Sequence, residues 1–241
     1  MNKVYYNYRY FLPHPPLWGD LEHCNRRLDE LLQFCREAQV DAVQFYVNTR
    51  FATYYMPPAS VEEQRAWIDW MRSVVRPSVK AQGISWQLNF QMLLGCGGWG
   101  QDISSCYDWE FMVNQFGERA EGCPCSHGRN FRAAMGAMLH GWAETQPEVI
   151  WIDDDFRLHN HMIDKSRGMD FYCFCDEHLA RFAEFSGTFY FRDEIVNALT
   201  KPTTLRSKWL EFCGNEMVEL AAWINEQIHG VAPECRIALM T

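Results

Sequence analysis

The sequence predicts an α/β protein built on a parallel sheet, and three observations carry that expectation. Runs of β-forming residues alternate with helix-period runs four times, and a fifth β-rich run, Arg236 to Met240, stands at the end of the chain. The run Val149-Ile150-Trp151-Ile152 is unbroken in its apolar character, as in a strand covered on both faces. It passes directly into Asp153-Asp154-Asp155, the pattern of a parallel strand whose carboxyl end opens onto a polar site.

The elements follow in order. Val4 to Leu12 is rich in β-formers and ends at Pro13, which a strand cannot continue through. Asp20 caps a helix whose apolar residues Leu21, Cys24, Leu28, Leu31 and Cys35 keep helical spacing. A second strand, Ala42 to Phe51, precedes a helix opened by the capping box Ser60-x-x-Glu63, broken or restarted at Pro77 and closed by Gly83. Ile84 to Leu94 is the third strand. The stretch from Gly95 to Arg129 has little periodicity and is too long for an ordinary connection, which marks it as functional. A third helix, from Phe131 to Trp142, is stopped by Pro147 before the acidic strand. Helices near Asp176 to Phe185, Arg192 to Leu199 and Leu205 to His229 follow, and Gly230 ends the last of them.

With 241 residues and 48% hydrophobic content, one core is expected. A doubly wound sheet fits this length, but Asn7-Tyr8-Arg9-Tyr10 is no phosphate-binding glycine fingerprint. The favoured architecture is a (β/α)8 TIM barrel truncated after about five strands, since a whole barrel needs roughly 250 residues. Residues 1–241 are thus expected to be the N-terminal portion of one catalytic domain, a fragment inactive and aggregation-prone by itself. A net charge of −9 argues against a nucleic-acid surface. No apolar run approaches the ~20 residues of a membrane span, and no signal peptide opens the chain. Ten cysteines in a cytoplasmic, reduced protein read as metal ligands or core rather than disulfides.

Three adjacent carboxylates repel one another and require an arginine, a metal, a proton or a substrate to compensate. Neighbouring acids raise one another's pKa, which suits glycoside cleavage: one carboxyl delivers a proton to the departing oxygen while another stays ionised. Strand alternation sets Asp153 and Asp155 on one side and Asp154 on the other. Asp155 is the first choice for general acid and Asp153 the second, with Arg157 available to pair with an ionised neighbour. Arg9, Asn48, Arg50, Asn89, Arg157 and His159 stand at strand mouths, where substrate hydroxyls would be held. His159 and His161 beside the acids also admit a metal-dependent hydrolase or lyase, and a carbohydrate-binding barrel without catalysis is the third reading.

The segment Trp151-Ile152-Asp153-Asp154-Asp155, followed by Cys173-Phe174-Cys175-Asp176-Glu177-His178, resembles the fourth-strand region of family-42 β-galactosidases and related clan-A glycoside hydrolases. The resemblance implies a (β/α)8 glycosidase acting on an oligosaccharide or glycoside, with room for self-association of the full-length protein. By position, Asp154 stands where that family has Asn and Asp155 where it has the acid/base Glu. An Asp is one methylene shorter, so retaining chemistry does not follow automatically. The family's second carboxylate comes from the seventh strand, and no residue here matches it.

Cys173-x-Cys175-x-x-His178 places two thiols and an imidazole at a helix mouth, and one further ligand would complete the tetrahedral site zinc prefers. Cys123 and Cys125 are the candidates in the preceding loop. The resemblance implies a structural zinc ion joined by a cysteine followed by proline, which points to Cys123 as the fourth ligand with Cys125 the alternate.

Overall fold

The structure, a computed structural model, describes residues 5–12, 20–48, 61–91, 93–94, 107–153, 156–158, 171 and 173–240. Strand β1 (Asn7–Tyr10) leads to helix α1 (Leu21–Ala38). The Asp20 side chain accepts from His23 N at 2.7 Å, as the N-cap rule expects, and Gln39 ends the helix in the left-handed region at φ 53°. After β2 (Ala42–Asn48), α2 (Val61–Trp70), a π segment (Met71–Val75) and α3 (Arg76–Lys80) succeed one another without interruption. The expected break at Pro77 is thereby absorbed: Arg76 N bonds to Met71 O, one residue wider than an α-helical turn, just ahead of the residue that has no N–H to donate. Ser60 of the expected capping box lies outside the described residues.

β3 (Ser85–Gln91) is followed, inside the stretch of little periodicity, by an antiparallel hairpin of β4 (Phe111–Val113) and β5 (Arg119–Pro124). Asn114 accounts for its turn. Its side-chain oxygen accepts from Phe116 N and Glu118 N, both at 2.9 Å, and Gly117 supplies φ 83°. The remaining elements are α4 (Arg129–Ala143), β6 (Val149–Ile152), α5 (Asp176–Ser186), α6 (Arg192–Leu199), α7 (Thr204–His229) and β7 (Arg236–Leu239).

Among the described residues, five strands form one parallel sheet in the order β1-β2-β3-β6-β7. The order follows the chain without the reversal that defines a doubly wound sheet. One face carries Val43, Phe45, Trp86, Leu88, Phe90 and Ile150, all fully buried, against Leu31, Met71, Leu139, Trp142 and Ile228 from the helices. α7 packs on α4, α5 and α6, and a second, smaller core forms where Phe174 stacks on Trp209 at 4.8 Å beside Phe182 and Phe212.

The opposite face is polar. The register sets Arg9 beside Gln44, Gln44 beside Gln87, Tyr46 beside Asn89 and Asn89 beside Trp151. Arg9 and Asp153 lie three strand spacings apart, about 14 Å along a flat sheet. Side chains stand nearly perpendicular to a sheet. The 3.5 Å approach of Arg9 Nη1 to Asp153 Oδ2 therefore requires this face to be concave.

Candidate functional site

Asp153 is the first residue after β6, is 8% exposed, and turns onto the concave face because Ile152 before it faces the helices. Arg9, expected as a substrate contact, reaches it from β1 and also lies over the Tyr46 ring, 4.8 Å from its centroid. Deeper on the same face, Gln87 Oε1 accepts from Trp151 Nε1 at 2.7 Å and from Asn7 Nδ2 at 3.2 Å. Asn89 is fully buried with its Nδ2 3.1 Å from Met240 Sδ, while its Oδ1 and the Oε1 of Gln44 have no hydrogen-bond partner among the described residues. Buried acceptors left open in this way are costly unless water or a ligand meets them.

The structure thus brings together Arg9, Asn89 and Asp153 on one concave surface. Asn48 ends β2 opposite Gln91, and Arg157 lies half-buried just past β6. Asp154, Asp155, Arg50, His159 and His161 lie outside the described residues. Gln44, Tyr46, Gln87 and Trp151 were passed over in the sequence as strand formers. The signal for them was present: polar residues recur at every second position between fully buried ones, as on a strand with one wet face.

A second site lies where the hairpin meets α5. Ligand atoms of Cys125, Cys173, Cys175 and His178 all lie within 4.8 Å of one another. The sulfurs of Cys125 and Cys175 are 3.8 Å apart, and His178 Nδ1 is 3.6 Å from the first and 3.2 Å from the second. Zinc bonds of about 2.3 Å to sulfur and about 2.0 Å to nitrogen, at tetrahedral angles, give edges of roughly 3.8 and 3.5 Å. The donor set and its spacing therefore fit that ion.

Cys123, the first choice from the sequence, is not in this group. It lies within β5 among buried apolar residues, whereas Cys125 falls just past the strand end at Pro124. There Cys125 N bonds to Glu110 O and its own carbonyl accepts from Gly128 N, a tight turn that swings this sulfur toward the start of α5. On the far side, Cys173 is held against β4 by bonds from Val113 N to its sulfur and from Phe174 N to Val113 O. Cys175 is the N-cap of α5 and His178 sits in its first turn.

Burial, together with hydrogen bonds to Cys125 and Cys175, pushes the Cys173 thiol well up. Hydrogen bonds from Cys125 and Cys173, with help from His178, hold Cys175 far below the ordinary thiol range. Burial alone would lower His178, but the sulfurs of Cys125 and Cys175 outweigh it and push its pKa up to about 10.

Behind His178 lies a set of charged residues that sequence reasoning missed. Glu216, 3% exposed in the middle of α7, meets His127 Nε2 through Oε2 and accepts from Arg181 Nε and Nη2 at 3.3 and 3.0 Å through Oε1. Burial would raise its pKa, yet His127 and Arg181 outweigh burial and hold it at about 2. The clue was a glutamate set at four-residue spacing in the buried row Phe212, Glu216, Leu220, Ile224 and Ile228.

No protein-family model matches the chain, and no curated protein matches it. Among the described residues no helix is long and apolar enough to cross a membrane. Solved structures do match. One is the catalytic domain of beta-amylase from Paenibacillus polymyxa, at TM-score 0.55 and 12% identity, covering 97% of this chain and 65% of that one. Others are a hypothetical protein from Ruminiclostridium thermocellum (TM-score 0.47, 13% identity, 90% of this chain and 91% of that) and trehalulose synthase from Pseudomonas mesoacidophila (0.39, 13%, 98% and 44%). The two lower scores add nothing to the fold assignment. The chain therefore spans about two-thirds of the beta-amylase domain and has an α/β fold on a parallel sheet similar to it.

Proposed function

We propose that the protein is glycoside hydrolase-like, acting on glycosidic bonds of an oligosaccharide or glycoside, with these strands forming about five of the eight in a (β/α)8 barrel. The observation that carries this reading is the buried carboxylate of Asp153 at the carboxyl end of β6. It faces a concave polar surface and is met by Arg9 from three strands away. The one-directional strand order and the resemblance of the acidic strand to the family-42 region support the same reading.

Arg9 supplies the countercharge that adjacent carboxylates need, and it does so for Asp153. In this scheme Asp153 is the member of the group positioned by Arg9, and Asp155, two residues on, delivers the proton to the departing glycosidic oxygen. A second carboxylate from a later strand of the barrel serves as nucleophile or base, and its separation from Asp155 decides between retention and inversion. Tyr46 and Trp151 offer ring surface, and Gln44 and Asn89 open acceptors, to a sugar lying on the concave face. A net charge of −9 suits a neutral sugar better than a polyanion.

Cys125, Cys173, Cys175 and His178 would hold zinc. Bound there with four protein ligands and no open position, the ion supplies structure and not Lewis-acid chemistry. It would pin the hairpin to the start of α5, and the free thiols suit a reducing compartment such as the cytoplasm.

The test is turnover on a panel of aryl glycosides by the full-length protein, with Asp155→Asn and Asp153→Asn beside the native form. Turnover abolished by Asp155→Asn with sugar binding intact is the expected result. Binding without turnover in every form identifies a carbohydrate-binding barrel instead, and activity lost in EDTA and restored by Mg or Mn identifies a metal-dependent hydrolase.

A further inference from the structure

His178 has two ring nitrogens, and only one of them faces the sulfurs. The other, Nε2, is buried and has no hydrogen-bond partner among the described residues, an expensive state for a ring 1% exposed. Its neighbour on that side is Glu216 Oε2, at 3.7 Å. We propose that Glu216 is the positioning residue of the cysteine–histidine centre: its carboxylate receives the Nε2–H of His178 and leaves Nδ1 bare toward Cys125 and Cys175. This rests on the reading of those residues as a zinc site.

The chemistry requires such a partner. A histidine ligand must present a lone pair, so the proton of the neutral ring has to sit on the opposite nitrogen. A carboxylate accepting that proton's hydrogen bond fixes both tautomer and ring orientation. Glu216 is suited to this because it is itself immobilised. Arg181 grips it from α5 with Nη2 at 3.0 Å and Nε at 3.2–3.3 Å, and His127 meets it from the turn after β5. His127 is held in turn by Arg132, whose Nη2 lies 3.4 Å from Nδ1 and whose Nε donates to Ser126 O at 2.7 Å. The turn carrying Cys125, the helix carrying His178 and the long α7 are thus wired together at one carboxylate.

His127, His178 and Glu216 also lie close enough to hold an ion of their own. The guanidinium of Arg181 lies against both oxygens of Glu216. A second cation there would have to displace it against charge repulsion, so the trio acts as the outer layer of one centre and not as a second centre.

The experiment compares zinc affinity, by competition with a chromophoric chelator, in the native chain, Glu216→Gln and Glu219→Gln. Glu219 touches Arg181 and lies 4.0 Å from His127, and its side chain is 45% exposed. Glu216→Gln is expected to bind one zinc about 10- to 100-fold more weakly. It should also shift the visible bands of the cobalt-substituted protein, with Glu219→Gln matching the native form in both. Unchanged affinity and spectrum in Glu216→Gln would overturn the proposal while leaving the zinc site intact; a native chain that takes up no zinc would overturn both. Should Glu216→Gln fail to fold, nitrogen NMR of the zinc-loaded native protein decides: Nδ1 on the metal with a slowly exchanging Nε2 proton upholds the assignment, and Nε2 on the metal overturns it.

Discussion

Replacing Cys125 with serine, alongside the same change at Cys123, separates two sulfurs that a sequence cannot tell apart. Cys125 lies 3.8 Å from Cys175 and 3.6 Å from His178 Nδ1, whereas Cys123 lies outside that group. A ligand that binds only the folded chain at a thousandfold excess over its Kd stabilises it by about 4 kcal/mol. For a chain of this length each kcal/mol moves Tm by about 2–4 °C. Cys125→Ser should therefore lose stoichiometric zinc and about 8–16 °C of Tm. Its melting curve should coincide with and without a strong chelator. Cys123→Ser changes a thiol that is 1% exposed within β5 and outside the four-residue group. It should keep its zinc and its full response to chelator. The assay is metal content by atomic emission with paired thermal melts. Zinc retained by Cys125→Ser, or lost only in Cys123→Ser, would refute the assignment of ligands, and a native Tm indifferent to chelator would refute the structural role of the ion.

Glu216 gives a pH signature. Its folded pKa lies below the ordinary 4.5, at about 2, so its contribution is complete above pH ~4.5 and is lost as pH falls toward 2. That fall corresponds to about 3 kcal/mol. Urea titrations in chelator should show this acid limb in the native chain and lack it in Glu216→Gln. Gln44→Leu replaces a buried amide whose Oε1 has no partner, so stability should stay within about 1 kcal/mol of native or rise while sugar binding weakens. A large loss of stability with binding intact would mean that Gln44 serves packing alone. Gly214 stands inside α7 with no atom beyond the helix's own backbone within 4 Å of an added Cβ, and Gly187 ends α5 at φ 72°. Gly214→Ala should stabilise by up to about 1 kcal/mol and Gly187→Ala destabilise by about that much, read as opposite shifts in urea midpoint.

The sequence alone determined most of the strands and helices, because those choices depend on neighbours a few residues away. Asp20 caps α1 through a bond to His23 N, and Gly83 closes the helical run before β3 at φ 74°, both of which local chemistry dictates. The acidic end of β6 and the spacing Cys173-x-Cys175-x-x-His178 were legible for the same reason. The hairpin at 111–124 was missed because its strands are short and its turn depends on Asn114 more than on any periodic pattern. Only the tertiary structure brings Cys125, and not Cys123, to Cys173, Cys175 and His178. Both precede α4 and differ by two positions, and the turn after Pro124 carries just one of them to α5. Arg9 with Asp153, and Glu216 with His178, are separated by 144 and 38 positions, so neither pairing leaves a local trace. The first exists because the sheet curves and the second because α7 packs against α5, and curvature and packing are properties of the assembled core.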